Sequence, residues 1–176
     1  EADAPNHILI EGDNLEALTA LSYSHEGKID VIYIDPPYNT GNKDFSYNDN
    51  YVDKEDTFRH SKWPSFMHKR LKIAKRLLTD KGVIVISIDD NEIASLKLLC
   101  DDVFSADNFI NIFVWQRNSS AKTEKGKFTV NTEYVLLYAK SDSYILNSAY
   151  KPLSEASQKL FKFDDKDGRG KYQTVS

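Results

Sequence analysis

Two nearly continuous apolar runs, each closed by an acidic residue, constrain this fold most: Val31-Ile32-Tyr33-Ile34 stops at Asp35, and Val83-Ile84-Val85-Ile86-Ser87-Ile88 stops at Asp89-Asp90-Asn91. Neither run alternates with polar residues. Both therefore read as strands buried on both faces, as parallel strands are. A third short apolar run, Ile8-Leu9-Ile10, is expected to add another buried strand. Helical stripes separate the runs. Asp13 with Glu16 resembles a capping box ahead of Leu15, Leu18 and Leu21. Met67, Leu71, Ala74 and Leu78 repeat at helical spacing, with Pro64 expected in the first turn and Gly82 at the stop. Ile93, Leu96, Cys100 and Val103 mark a third helix, in which Cys100 reads as core. Asp89 and Asp90 are expected to cap it. Residues 109–115 and 133–139 then follow as two strands with no helix between them, so they pair antiparallel. Alternating strands and helices followed by a strand pair indicate an α/β sheet. Residues 39–62 have no steady period and read as a functional loop.

A chain of 176 residues with 40% hydrophobic content can bury one sizeable core, and it is not disordered. A single cysteine excludes an intrachain disulfide, and four scattered histidines give no metal-ligand spacing, so no metal is expected. No stretch has the length or apolarity of a membrane helix, and a cytoplasmic protein is the expectation. A net charge of −4 does not advertise a nucleic-acid binder by itself. The positive charge is nevertheless clustered. Lys69, Arg70, Lys72, Lys75 and Arg76 read as a solvated helix face, whereas Lys122, Lys125 and Lys127 lie in a polar loop and are the better phosphate contacts.

Ligands of open α/β sheets collect beyond the carboxyl ends of the strands. Asp13, Asp35 to Tyr38 and Asp89 to Asn91 all stand at such ends. Asp35-Pro36-Pro37-Tyr38 combines an acceptor carboxylate, a stiffened turn and an aromatic face. The exocyclic amine of adenine is a poor nucleophile, because its lone pair is delocalised into the ring. Two acceptors on its hydrogens, the Asp35 carboxylate and the Pro36 carbonyl, would favour the nucleophilic form. Tyr38 would stack the base at about 1–3 kcal/mol. A base held this way must first leave the duplex.

Asp35-Pro36-Pro37-Tyr38-Asn39-Thr40-Gly41-Asn42 resembles the catalytic motif of DNA amino-methyltransferases that use S-adenosylmethionine. The strings Glu11 to Leu18, Tyr47 to Val52, Arg59-His60-Ser61-Lys62-Trp63, Ser87 to Glu92 and Glu133 to Lys140 make it most similar to adenine-N6 methyltransferases of the type III restriction–modification kind, the Mod subunits. The resemblance covers residues 8–140. It implies a partial Rossmann-like methyltransferase fold, a mostly parallel sheet with a C-terminal antiparallel pair. It assigns catalysis to Asp35, Pro36, Pro37 and Tyr38, and cofactor contacts to Asp13, Asn14 and Asp35. It places Asn39, Thr40, Trp115, Gln116, Arg117, Lys122, Lys125 and Lys127 at the DNA. For Asp13 a helix cap, and for Trp115 a sheet-packing role, are equally open. The implied substrate is DNA with its adenine flipped out. The implied partners are a second Mod copy and a helicase-nuclease Res subunit.

The family's Phe-x-Gly-x-Gly cofactor loop does not occur here. Residues 1–140 are therefore expected to be the catalytic part of a longer protein, and residues 141–176 a connector toward a target-recognition region. The isolated chain is expected to be inactive. Cytosine-N4 transfer is the nearest alternative, since it uses the same chemistry on another exocyclic amine; Asp as first motif residue favours adenine. A non-catalytic remnant serving assembly or DNA contact is the other. Cytosine-C5 chemistry would need a nucleophilic cysteine following a proline, and Cys100 follows Leu99. An ATPase would need a phosphate-binding loop that is absent.

Overall fold

The computed structural model describes residues 7–47, 50–53, 55–117, 126, 128–147 and 152–174. They fall into two compact units, residues 1–145 and 146–176. In the first, α1 (Asn14–His25) leads into β1 (Ile29–Ile34), followed by a hairpin of β2 (Asn42–Tyr47) and β3 (Asn50–Asp53). Next come α2 (Arg59–Leu77), β4 (Leu78–Ile88), α3 (Ile93–Phe104), β5 (Phe109–Gln116) and β6 (Thr132–Ala139). The main sheet has the order β1-β4-β6-β5. β1 and β4 are parallel, whereas β6 runs antiparallel to both β4 and β5. The α/β sheet and its C-terminal antiparallel pair are thus as the sequence indicates.

The core lies on one face of that sheet. Ile84, Ile86 and Ile88 of β4 and Leu136 and Tyr138 of β6 are buried against Trp63, Met67, Leu71 and Ala74 of α2 and Leu96, Cys100 and Phe104 of α3. Burial of each such large side chain stabilises the fold by about 1.5–3 kcal/mol. The helical stripes at 67–78 and 93–103 are therefore the core-facing faces, and Cys100 is core, its thiol pushed up to about 12 by burial.

Four expectations about the early strands and the second helix need correction first. Ile8-Leu9-Ile10 forms no strand, and Leu9 is 97% exposed; three residues offer too few ladder bonds to offset ordering their backbone. β1 is not buried on both faces. It is an edge strand covered only where Ile32 and Ile34 meet the core, leaving Val31 and Tyr33 exposed. Pro64 lies inside α2 rather than in its first turn, because the helix already starts at Arg59. Gly82 does not end that helix. Leu78 leaves the helix directly in extended geometry, and Gly82 sits within β4, where a Cβ would come 2.9 Å from the Ile29 carbonyl oxygen. Glycine is needed there because β4 is irregularly registered on β1 between Ile29 and Val31.

The supposed loop at 39–62 contains the β2–β3 hairpin and the start of α2. Phe45 of β2 and Val52 of β3 are buried, and Phe45 meets Phe66 of α2 edge to face at 5.1 Å. The second unit contains α4 (Glu155–Gln158), capped by Ser154, and a bridge between Phe163 and Tyr172.

Candidate functional site

Parallel pairing brings the C-terminal ends of β1 and β4 to one edge, with Ile34 opposite Ile86 and β4 continuing through Ile88 opposite Tyr134 of β6. The β5–β6 connection leaves from that same edge. Asp35 is exposed there, while Pro36, Pro37 and Tyr38 are half-buried. The turn is held from behind: the Trp63 indole N–H of α2 donates to the Pro37 carbonyl at 2.6 Å. Tyr38 packs its ring against the core, with the Asp35 carboxylate near its hydroxyl. Partial burial first, and the Asp35 carboxylate second, hold the Tyr38 phenol well above the ordinary tyrosine range. At neutral pH it therefore keeps its proton.

Asn39, which the resemblance places at the DNA, is instead fully buried at φ +57 with no surface to offer it, and Arg59 Nη1 reaches the Thr40 carbonyl at 3.4 Å. Trp115, Gln116 and Arg117 at the end of β5 are exposed, with Trp115 65% accessible. Arg117 Nε pairs with Glu133 Oε1 at 3.1 Å. Glu133 adds to the upward push on Tyr38, and Arg117 partly offsets the upward push on Asp89, so the strand ends share one electrostatic environment. Lys122, Lys125 and Lys127 lie outside the described residues.

Asp89 does not cap α3. Its carboxylate accepts the backbone N–H and the side-chain amide of Asn91, at 2.9 and 2.8 Å, closing a turn before the helix. Glu92 holds the cap position and makes no side-chain cap bond. Burial raises the Asp89 pKa, and the two Asn91 bonds lower it.

Asp13 caps α1, accepting from the N–H groups of Leu15 and Glu16 at 2.8 and 3.1 Å. Beside it, a cleft of about 260 Å3 opens between α1, α2 and the end of β1. Leu18, Ile34, Phe66 and Met67 form apolar walls, and Asn14, Asp35 and Arg70 supply the polar groups. Sites that enclose a drug-sized ligand usually measure about 300–1,000 Å3. An apolar slot of this size, with an amide, a carboxylate and a guanidinium at its margin, suits the nucleoside part of S-adenosylmethionine.

Arg70 lines this cleft, whereas charge patterning alone assigns it to a solvated face. Its guanidinium lies 3.5 Å from the centre of the Phe66 ring, and its Nε donates to Asn14 Oδ1 at 2.6 Å. Partial burial pulls its pKa down, and Asp13 opposes this. Phe66, four residues earlier, is the sequence signal that could have found it. Trp63, His60 and Glu92 stand only inside resembling strings, and the sequence assigns them no role.

Residues 29–175 match the N6/N4 methylase family model described as DNA methylase. The chain is 40% identical to the probable type III restriction-modification enzyme HindVI Mod subunit of Haemophilus influenzae, over 96% of this chain and 22% of that protein. It is 43% identical to the type II methyltransferase M.KpnI of Klebsiella pneumoniae, over 80% of this chain and 34% of the relative. It thus spans only about a fifth to a third of the length of these relatives. Among solved structures, a putative DNA modification methylase from Thermus thermophilus, complexed with S-adenosyl-L-methionine, shares the fold at TM-score 0.54 and 16% identity, over 89% of this chain and 62% of that one.

Proposed function

The chain belongs to the N6/N4 DNA methylase family, and from that premise we propose that it is the base-binding part of a protein that methylates adenine N6 in DNA. The methyl donor is S-adenosylmethionine, and the setting is a type III-like restriction–modification system. The observation that carries this is the exposed Asp35 carboxylate next to a proline turn whose Pro37 carbonyl is occupied by Trp63. Identity to a Mod subunit over 96% of the chain supports the type III setting.

The flipped adenine stacks on Tyr38. Its amine gives one hydrogen to the Asp35 carboxylate and the other to the Pro36 carbonyl. These two acceptors localise the nitrogen lone pair and aim it away from the ring plane. S-adenosylmethionine, when bound, supplies an electrophilic sulfonium methyl. Asn14, Asp35 and Arg70 hold the donor beside the base, with Asp13 ordering the start of α1. Asp35 accepts the proton that the methylated amine sheds. Trp115, Gln116 and Arg117, with Lys122, Lys125 and Lys127, approach the DNA around the extruded nucleotide. A second copy and a Res helicase-nuclease are the proposed partners of the whole protein.

Methylome mapping of cells that express the full-length protein tests this reading. N6-methyladenine at one recurring sequence is expected with the native protein, and none with Asp35→Ala. N4-methylcytosine in its place would assign the site to the other amine, and an unmodified genome would remove the enzyme reading.

A further inference from the structure

Tyr38 sits between two pins. Before it, the Pro37 carbonyl accepts the Trp63 indole N–H at 2.6 Å. After it, Asn39 takes a left-handed backbone conformation at φ +57, unfavourable for any residue but glycine and tolerated best by asparagine and aspartate. Its side chain is completely buried, and its Nδ2 donates to Glu92 Oε1 at 2.6 Å and to the Arg59 carbonyl at 3.3 Å. His60 Nδ1 lies 2.6 Å from the same Glu92 oxygen, within hydrogen-bond distance. Glu92 is fully buried at the entry to α3.

Glu92 Oε2 and Asn39 Oδ1 have no hydrogen-bond partner among the described residues. A buried carboxylate with half of its acceptors unmet is a costly way to join two elements, and an apolar pair of the same volume would join them better. What an apolar pair cannot do is grip the Asn39 amide and thereby fix a left-handed residue immediately after the base-stacking ring. Strain held by its surroundings in this manner clusters at functional sites.

We propose that Glu92 is a positioning residue for Tyr38. It acts through Asn39, with His60 steadying the carboxylate, so that the start of α3 and the start of α2 together set where the ring meets the target base. This rests on the base-clamp reading above.

The test uses the full-length protein and the duplex sequence found by methylome mapping. Single-turnover methyl transfer, cofactor KM, duplex Kd and Tm are measured for Glu92→Gln, Glu92→Ala and Asn39→Gly. Glu92→Gln keeps an acceptor for Asn39 and should stay within about threefold of the native rate, whereas Glu92→Ala and Asn39→Gly should be about 10- to 100-fold slower. Cofactor KM and duplex Kd should stay unchanged. With 2-aminopurine at the target position, emission in the complex should be brighter for Glu92→Ala than for the native protein, since stacking on Tyr38 quenches it. A folded Glu92→Ala protein with native rate and native emission overturns the proposal, as does a lowered Tm with no change in either. If Glu92→Ala does not fold, Asn39→Gly decides, since glycine adopts the same backbone without the amide. A native protein that transfers no methyl group defeats the base-clamp reading and this inference with it. Native transfer with indifferent variants defeats the inference alone.

Discussion

β1 and β4 lie side by side, run the same way and end in the same spelling, an apolar run followed by aspartate, yet their two aspartates are used in opposite ways. Asp89 is buried and commits both carboxylate oxygens to Asn91, two residues further on. Asp35 is exposed, and the chain after it is held by groups other than its own carboxylate. Trp63 takes the Pro37 carbonyl and Glu92 takes the Asn39 amide. The β4 end is therefore fixed by its own acid, and the β1 end by residues borrowed from α2 and α3. Only the second arrangement leaves a carboxylate free to meet a ligand. Proline makes the difference possible. With two prolines after Asp35, the turn lacks the N–H donors that Asn91 offers to Asp89.

The largest effect should come from removing the free acid. Asp35→Ala in the full-length protein should lower methyl transfer by about 10²–10³-fold, the size seen when one preorganised partner of a developing charge is removed. Its Tm should stay native, because Asp35 is exposed. Asp89→Ala should show the reverse, losing about 1 kcal/mol of stability with its turn while keeping transfer within a few-fold. Initial rates and thermal unfolding of the two variants side by side decide it. Equal losses of rate would dissolve the contrast between the strand ends.

An intermediate effect is expected at the borrowed pin. Trp63→Phe keeps an aromatic ring in the core but leaves the Pro37 carbonyl without its indole donor. A lost partner of this kind costs about 1–3 kcal/mol. Denaturant unfolding should show that loss, and transfer should fall more than duplex affinity does. Native stability in this variant would mean that the β1 end holds itself, as the β4 end does.

These two strand ends also show how far the sequence can be read. The apolar runs, the stripe Met67, Leu71, Ala74 and the antiparallel pair at 109–116 and 132–139 are legible because periodicity reports burial directly. The motif at Asp35 to Tyr38 is legible because its residue types are rare together. What surrounds it is not. Trp63, His60 and Glu92 act on the motif across 26 to 53 positions of chain, and no local pattern encodes such a contact. Gly82 misleads because a glycine after a helical stripe spells a stop, whereas the close passage of the Ile29 carbonyl is what requires it. Arg70 misleads because a lysine- and arginine-rich helix face looks uniformly solvated until a neighbouring helix, here α1 with Asn14, lies against it. Ile8-Leu9-Ile10 shows the opposite error, since apolar residues predict burial only where something covers them.

The smallest effect separates the two acids by charge alone. Asp89 has a folded-state pKa above its ordinary value, first because burial penalises the ionised form, with Asp90 adding to this and Asn91 and Arg117 opposing it. A raised folded pKa means that the group favours the fold at low pH, where it is protonated, and that this contribution is lost as pH rises through the folded value. At neutral pH the ionised Asp89 therefore works slightly against the fold. Asn at this position keeps an acceptor for the Asn91 N–H and carries no charge. Asp89→Asn should thus unfold at the native temperature or slightly above it at pH 7, by about 1 °C or less, since the Asn91 bonds and Arg117 offset much of the burial penalty. The difference should vanish as the pH falls below the ordinary aspartate value of 3.8. Thermal unfolding across that range measures it. A variant clearly less stable than the native protein at pH 7 would show that the charge of Asp89 strengthens its bonds to Asn91 by more than burial weakens them, and the β4 end would then be held by charge rather than by hydrogen-bond geometry.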